Sequence, residues 1–341
     1  MKRLLYFLII VFLILAVFLM LGKFRVSEDG RTVVVYVSED QVFSEPILKE
    51  FEKSSGIKVM AVFDTEEAKS TGVMNRLIAE KNNPQADVYW ANEPIRAEVL
   101  KQRGITAPYI SPNGKDIPYN FKDPDGYWTG FSARARVFVV KRGLTHKPES
   151  IFDYVDPIWK GRMVIANPLF GTTTVYFASL FSVLGDDSAK DFLEMMKKNG
   201  VKISTSNGES ADLVAQGEFD FSLVDNDDAV NRIRQGMDIE MIFPDQREGE
   251  IGCLLLPNAV MLIKDAPHPE NGKRLIDYLL SKETERKLAF ADCAQIPLHP
   301  GVEIPPELKG IKDIKTMKVD YSEVARKLVE IQPFLKKWVG Y

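Results

Sequence analysis

The sequence predicts an α/β protein of two lobes, each a mainly parallel sheet flanked by helices, preceded by an N-terminal membrane helix. Three observations carry this. Continuous β-branched runs alternate with amphipathic segments along the chain. The length, 341 residues, suits about two domains. The run from Leu4 to Leu21 is apolar throughout.

That run follows Lys2 and Arg3 and is long enough to span a membrane. A secretory signal has a shorter apolar region and a small-x-small cleavage site, and Val17–Gly22 offers no clean one. No Cys follows the run, so lipid anchoring is unsupported. Residues 1–25 therefore read as an uncleaved anchor, with residues 4–21 in the membrane, or as a cleaved signal. Either places the rest of the chain outside the cytoplasm, in the periplasm or on the outer face of the cytoplasmic membrane.

The first sheet begins at Thr32–Val37, a β-branched run of the kind buried on both faces. Ser44 reads as an N-cap with Pro46 in the first turn, and Gly56 ends that helix. Ile57–Val62 and Ala86–Ala91 are the next strands. Helices lie between them around Met74–Ile78 and after them around Ile95–Leu100. The order β-α-β-α-β-α requires a parallel sheet covered by helices. A second block continues with strands at Arg136–Val140, Arg162–Ala166, Asp220–Val224 and Val260–Ile263. Its helices are predicted at Thr172–Leu184, Ala189–Lys198, Asn226–Arg234, Pro269–Leu280, Glu283–Ala291 and Ser322–Ile331. No internal repeat is evident.

Composition excludes several functions. With 44 Lys+Arg against 48 Asp+Glu, the net charge of -4 argues against a nucleic-acid partner. Three His and two Cys leave little for a zinc site, and Cys-x-x-Cys is absent. Gly-x-Ser-x-Gly and His-Glu-x-x-His are absent too. All three His lie in Pro-containing loops. Outside the cytoplasm Cys253 and Cys293 are either a disulfide or two buried thiols, and spacing alone leaves both open.

Two α/β lobes place a ligand between them or at the carboxyl ends of their strands. Five turns there hold the candidate residues. In Asn167–Thr174, Gly171 lets backbone approach a ligand, while Thr172, Thr173 and Thr174 add hydroxyls and N–H groups at a helix start that favours an anion. Ser132 and Arg134 open a strand, and one Arg suits two-pronged recognition of carboxylate or phosphate. Asp225, Asp227 and Asp228 form an acidic turn suited to a hard cation, a ligand ammonium, or simple N-capping. Glu93 sits in the turn after Trp90-Ala91. Ser38 and Glu39 directly follow the first strand.

Several segments resemble one family: Val33–Val37 with Ile47–Lys53 and Gly56–Val59, then Asn82–Val88, Gly130–Val137, Trp159–Arg162, Phe243–Gln246 to Leu256–Val260, and His268–Glu270. In this order and spacing they resemble extracytoplasmic solute-binding proteins of ABC importers, in particular the ferric-iron-binding branch. The resemblance implies a type II periplasmic-binding fold in which crossing strands join the lobes. Lobe 1 would comprise residues 31–130 and 253–305, and lobe 2 residues 131–252 and 306–341. It implies a monomer without a cofactor that closes over a small-molecule or ion ligand and passes it to an ABC permease. Ferric binders of this kind carry adjacent tyrosines at the turn occupied here by Asp225–Asp228, and this chain has none there. A ferric ligand set would instead draw on Glu93, Asp225 and Asp228. Other branches bind phosphorylated or carboxylated molecules, which the Thr-rich helix start and Arg134 suit. The alternatives are an extracytoplasmic enzyme using Asp225, Asp227, Asp228 and Glu93 as acid, base or metal ligands, and a ligand-sensing module.

Overall fold

The computed structural model describes residues 30–64, 71–308 and 310–341. The predicted membrane or signal segment lies outside them. Among the described residues no helix is long and apolar enough to cross a membrane.

The first unit follows its predicted order closely. Strand β1 (Thr32–Val37) leads to α1 (Gln41–Ser55), β2 (Lys58–Phe63), α2 (Thr71–Ala79), β3 (Val88–Ala91), α3 (Pro94–Gln102) and a two-residue β4 (Thr106–Ala107). Strand β1 pairs in parallel with β2 and with β3. Helix α1 starts earlier than Ser44. Its cap is Asp40, and the Ser44 hydroxyl instead donates to the Asp40 carbonyl at 2.9 Å, leaving Pro46 inside the helix. Gly56, at φ 68°, ends it as predicted.

Strand β5 (Thr129–Lys141) then crosses the molecule. Beyond it come β6 (Met163–Ala166), α4 (Gly171–Leu184), α5 (Asp186–Lys198), β7 (Lys202–Ser204), α6 (Asn207–Ala215), β8 (Phe221–Asp225), α7 (Asn226–Arg234) and β9 (Ile239–Ile242). Strand β10 (Leu255–Ile263) returns beside β3, followed by α8 (Pro269–Leu279), α9 (Lys282–Phe290), α10 (Tyr321–Glu330) and α11 (Gln332–Val339). The strand order is β2-β1-β3-β10-β5-β8-β6-β7.

The sheets are not mainly parallel. Among the described strands four pairings are parallel and five antiparallel. Each lobe keeps a parallel triplet, β2-β1-β3 or β7-β6-β8, but β5 and β10 run against their neighbours. The first half of β5, to Ala135, pairs with β10, and its second half, from Arg136, pairs with β8. One strand therefore belongs to both lobes. Its register breaks opposite Pro257 and Asn258, where Ser132 takes a positive φ of 42°.

The core is continuous from one lobe to the other. Trp90 packs on Phe131 in the first, and Phe138, Tyr154 and Trp159 gather around Phe221 in the second. Helix α10 packs against both α3 and α4. Cys253 and Cys293 form no disulfide. They are separate buried thiols, the first donating to the Arg136 carbonyl at 3.2 Å and the second to the Leu288 carbonyl at 3.3 Å.

Candidate functional site

A cleft of about 830 Å³ opens between the lobes. It is built from helix starts. Asp40 before α1, Glu93 before α3, Gly171–Thr174 of α4, Asn207 of α6 and Asp225–Asp228 around the start of α7 all line it. Each follows a strand's carboxyl end, which is why loops far apart in sequence meet there. Free N–H groups and the helix dipole give such starts a positive field.

Most of that field is already neutralised by the chain. Glu93 caps α3, accepting from the N–H of Ile95 at 2.5 Å and of Arg96 at 3.4 Å, and it pairs with the Arg96 guanidinium at 2.5 Å. Asp225 stands at the cap of α7, and the Ser206 hydroxyl caps α6 by accepting from the Glu209 N–H at 3.1 Å. Helix α4 differs. Phe170 occupies its cap position, no side chain caps it, and its first turn holds no acid.

Behind the α4 start lies a closed polar network. Arg136 is fully buried on β5. Its Nη1 donates to Thr172 Oγ1 and Asp225 Oδ1, both at 3.0 Å, and its Nη2 to the Leu223 carbonyl at 3.0 Å and Thr173 Oγ1 at 3.3 Å. Thr172 Oγ1 donates to Asp225 Oδ2 at 2.7 Å and accepts from Asn207 Nδ2 at 3.0 Å. Burial works against the Asp225 charge, but Arg136, Arg134 and the Thr172 hydroxyl outweigh it and hold the carboxyl below its ordinary value. Of the hydroxyls predicted to meet a ligand, those of Thr172 and Thr173 thus serve the fold.

Arg134, two residues earlier on the same strand, is employed differently. It is 7% exposed and lines the cleft; its Nη2 donates to the Asn92 carbonyl, while its Nε has no partner. Burial disfavours its charge, yet Glu39, Asp225, Asp227 and Asp40 together make it hold its proton more tightly than a free guanidinium. Thr174 Oγ1, also buried in the cleft wall, has no partner either.

The acidic turn is strained electrostatically. Carboxylate oxygens of Asp225, Asp227 and Asp228 lie within 4.8 Å of one another. Burial and Asp225 push Asp227 up to about 6. Burial, Asp227 and Asp225 also raise Asp228 well above its ordinary value, with Arg232 at 3.6 Å opposing.

Of the residues predicted from sequence, Glu93, Arg134, Gly171, Thr172, Thr173, Asp225, Asp227 and Asp228 share this cleft. Ser38, Glu39 and Ser132 do not line it. The Ser38 hydroxyl bonds Tyr89 at 2.8 Å and Asp64 at 3.0 Å, and Glu39 accepts from Gln295 at 3.0 Å. The Ser132 N–H donates to Glu285 at 2.8 Å, and its carbonyl accepts from Asn258 at 2.6 Å, which places it in the crossing region. Thr174, in the predicted Asn167–Thr174 turn, lines the cleft too, whereas Arg96 and Asn207 went unpredicted. The spacing Ser206-x-x-Glu209 is a capping-box signature that marks the start of α6 and hence Asn207.

The fold, the crossing strands and the cleft define a two-lobe binding protein. Residues 84–321 match the family described as bacterial extracellular solute-binding protein, and the chain belongs to it. It is 27% identical over 304 residues to iron uptake protein A1 of Synechocystis, covering 83% of this chain and 81% of that one. It is 26% identical over 242 residues to a putative 2-aminoethylphosphonate-binding periplasmic protein of Salmonella typhimurium, covering 70% and 69%. The apo ferric ion-binding protein A of Pasteurella haemolytica has the same fold, with a TM-score of 0.79, 22% identity and coverage of 91% of this chain and 98% of that one. These relatives place the chain with the ferric-binding branch of the extracytoplasmic solute-binding proteins.

Proposed function

We propose that the protein is the extracytoplasmic solute-binding component of an ABC importer. It acts as a monomer, closes its lobes over a small organic anion and delivers it to a permease. One observation carries the ligand class: the buried Arg134, with a donor unused, stands in the same cleft as the start of α4, which has no side-chain cap and no acidic residue in its first turn. A phosphonate, phosphate or carboxylate accepts from both. The name of the Salmonella relative, which specifies a phosphonate, supports the same class.

A ferric ion as cargo is less well provided for. No tyrosine is among the described residues lining the cleft. Both Glu93 oxygens are committed to α3 and Arg96, and both Asp225 oxygens to Arg136, Thr172 and Asn207. An enzymatic role for the same carboxylates meets that same commitment. A binding protein gains stability from its ligand by mass action. Thermal unfolding of the full-length chain with phosphate, alkylphosphonates, carboxylates or ferric salts tests the reading. An anion should raise Tm, and Arg134→Met should abolish the rise. Stabilisation by ferric salts alone would reject it.

A further inference from the structure

Glu285 of α9 is a fully buried carboxylate outside the cleft, and its two oxygens accept four N–H donors. Its Oε1 accepts from the N–H of Ser132 at 2.8 Å and of Leu298 at 2.9 Å. Its Oε2 accepts from the His299 N–H at 2.9 Å and from the His299 ring at Nδ1, 2.8 Å away. The other ring nitrogen, Nε2, stands 2.7 Å from the Asn113 carbonyl. A carboxylate and a carbonyl only accept, so both ring nitrogens carry protons and His299 is the cation that balances Glu285. Burial and Lys282 work against that charge, but the bonds to Glu285 and Asn113 outweigh them, and the ring holds its proton more tightly than a free imidazole.

Ser132 is the extra residue of β5 at the register break opposite Pro257 and Asn258, and it sits at φ 42°. A residue with a Cβ takes that conformation at a cost. Two bonds hold it there, Glu285 on its N–H and Asn258 Nδ2 on its carbonyl at 2.6 Å. An inserted residue shifts the phase of a strand by one, and the side chains beyond it change face. Before the bulge, Phe131 packs on Trp90 in the core of the first lobe. Beyond it, Ala133 bonds Ile296 in both directions at 2.7 Å, and Arg134 lines the cleft. The loop that carries Ile296, Leu298 and His299 thus clamps β5 on both sides of its phase change. On the reading that Arg134 meets an anion, we propose that Glu285, paired with His299, is a positioning residue of the binding site: it fixes the bulge at Ser132 and so aims Arg134 into the cleft.

Inorganic phosphate, methylphosphonate and acetate are titrated calorimetrically into the full-length chain and its variants at pH 7.5. Glu285→Gln replaces one accepting oxygen by an N–H₂ group that faces donors. It should weaken the best-bound anion by roughly tenfold or more, the worth of one hydrogen bond to a charged group. Binding should remain at one anion per chain, which separates a misdirected Arg134 from a loss of folded protein. His299→Gln removes the balancing cation and should act in the same direction; it carries the comparison if Glu285→Gln does not fold. Ser132 Oγ makes no hydrogen bond, and glycine tolerates a positive φ. Adding Ser132→Gly to Glu285→Gln should therefore recover part of the lost affinity. In nitrogen-15 spectra at pH 7.5, the signal that His299→Gln removes should show two protonated ring nitrogens. Binding equal to that of the unaltered chain in both Glu285→Gln and His299→Gln overturns the proposal and leaves the anion reading standing. A loss that Ser132→Gly does not lessen, or a neutral His299 ring, overturns it in the same way. Failure of every anion to bind the unaltered chain overturns both readings.

Discussion

Replacing Arg136 and Arg134 by methionine, one at a time, separates a residue that builds the fold from one that serves the cleft. Both lie on β5, both are buried, and they are two residues apart. Arg136 uses four of its five N–H donors, two on the Asp225–Thr172 pair and two on Thr173 and the Leu223 carbonyl. Without it, Asp225 remains as a buried carboxylate lacking its cation, a loss of about 3–5 kcal/mol. At about 2 °C per kcal/mol for a large domain, Tm should fall by roughly 6–10 °C. Arg134 makes one hydrogen bond to protein, to the Asn92 carbonyl, and its loss should cost about 1 kcal/mol or less. Ligand binding should behave in the opposite way, with Arg134→Met abolishing the anion-induced rise in Tm. Adding Asp225→Asn to Arg136→Met should recover part of the lost stability, because no unpaired charge is then buried. The assay is thermal and urea unfolding of the variants with and without ligand. Equal destabilisation by the two methionine variants would refute the division of labour, as would a double variant no more stable than Arg136→Met.

Three further outcomes follow from the same coordinates. Gly252 has φ 86°, and a Cβ there would sit 2.7 Å from the Thr316 carbonyl carbon, so Gly252→Ala should lower stability by at least about 2 kcal/mol in urea unfolding; a neutral effect would mean that residues 315–317 do not pair with Cys253 as described. Both thiols are buried and burial pushes both well above the usual thiol range, so a thiol reagent should find two per chain after denaturation and none rapidly before it; none after denaturation would indicate a disulfide. Asp227 and Asp245 are each pushed up to about 6, chiefly by burial, from an unfolded value near 3.8. The folded state therefore binds more protons, and the unligated protein should gain stability as pH falls from 7.5 to 5.5. Asp225, Asp228, Arg134 and Asp40 all act on Asp227, and His299, raised by Glu285 against its own burial, shifts stability in the same direction. A Tm that falls over that interval would refute the assignment.

Local pattern identified most of the fold because the parallel triplets are assembled from continuous β-branched runs with glycine-stopped helices between them. It missed what depends on partners distant in sequence. The antiparallel course of β5 and β10 is set by how two lobes join, and nothing in Arg136–Val140 or Val260–Ile263 announces that the neighbour runs the other way. The candidate site was legible to the extent that it follows topology: Glu93, Gly171–Thr173 and Asp225–Asp228 all stand where a strand gives way to a helix. Ser38 and Glu39 obey the same rule and still miss the cleft, since Tyr89, Asp64 and Gln295 hold them inside. Strand alternation put Arg134 and Arg136 on one face but could not say that one guanidinium would spend four donors on the Asp225–Thr172 network and the other only one, on the Asn92 carbonyl.

That distinction explains how a cleft lined by so many helix starts can be selective. If every start kept its field, any anion would bind and the lobes would repel one another when closed. Here the chain offsets the fields of α1, α3 and α7 with Asp40, Glu93 and Asp225, and satisfies α6 through Ser206. Helix α4 begins with Phe170 and Gly171 and keeps its field. Arg134, whose buried Nε has no partner, lines the same cleft, as do Asp227 and Asp228 of α7. Helix α10 packs on α3 and α4 and supplies Leu328 to the cleft wall. On the reading proposed above, an anionic ligand would supply the partner that the Arg134 Nε lacks and so favour a closed arrangement.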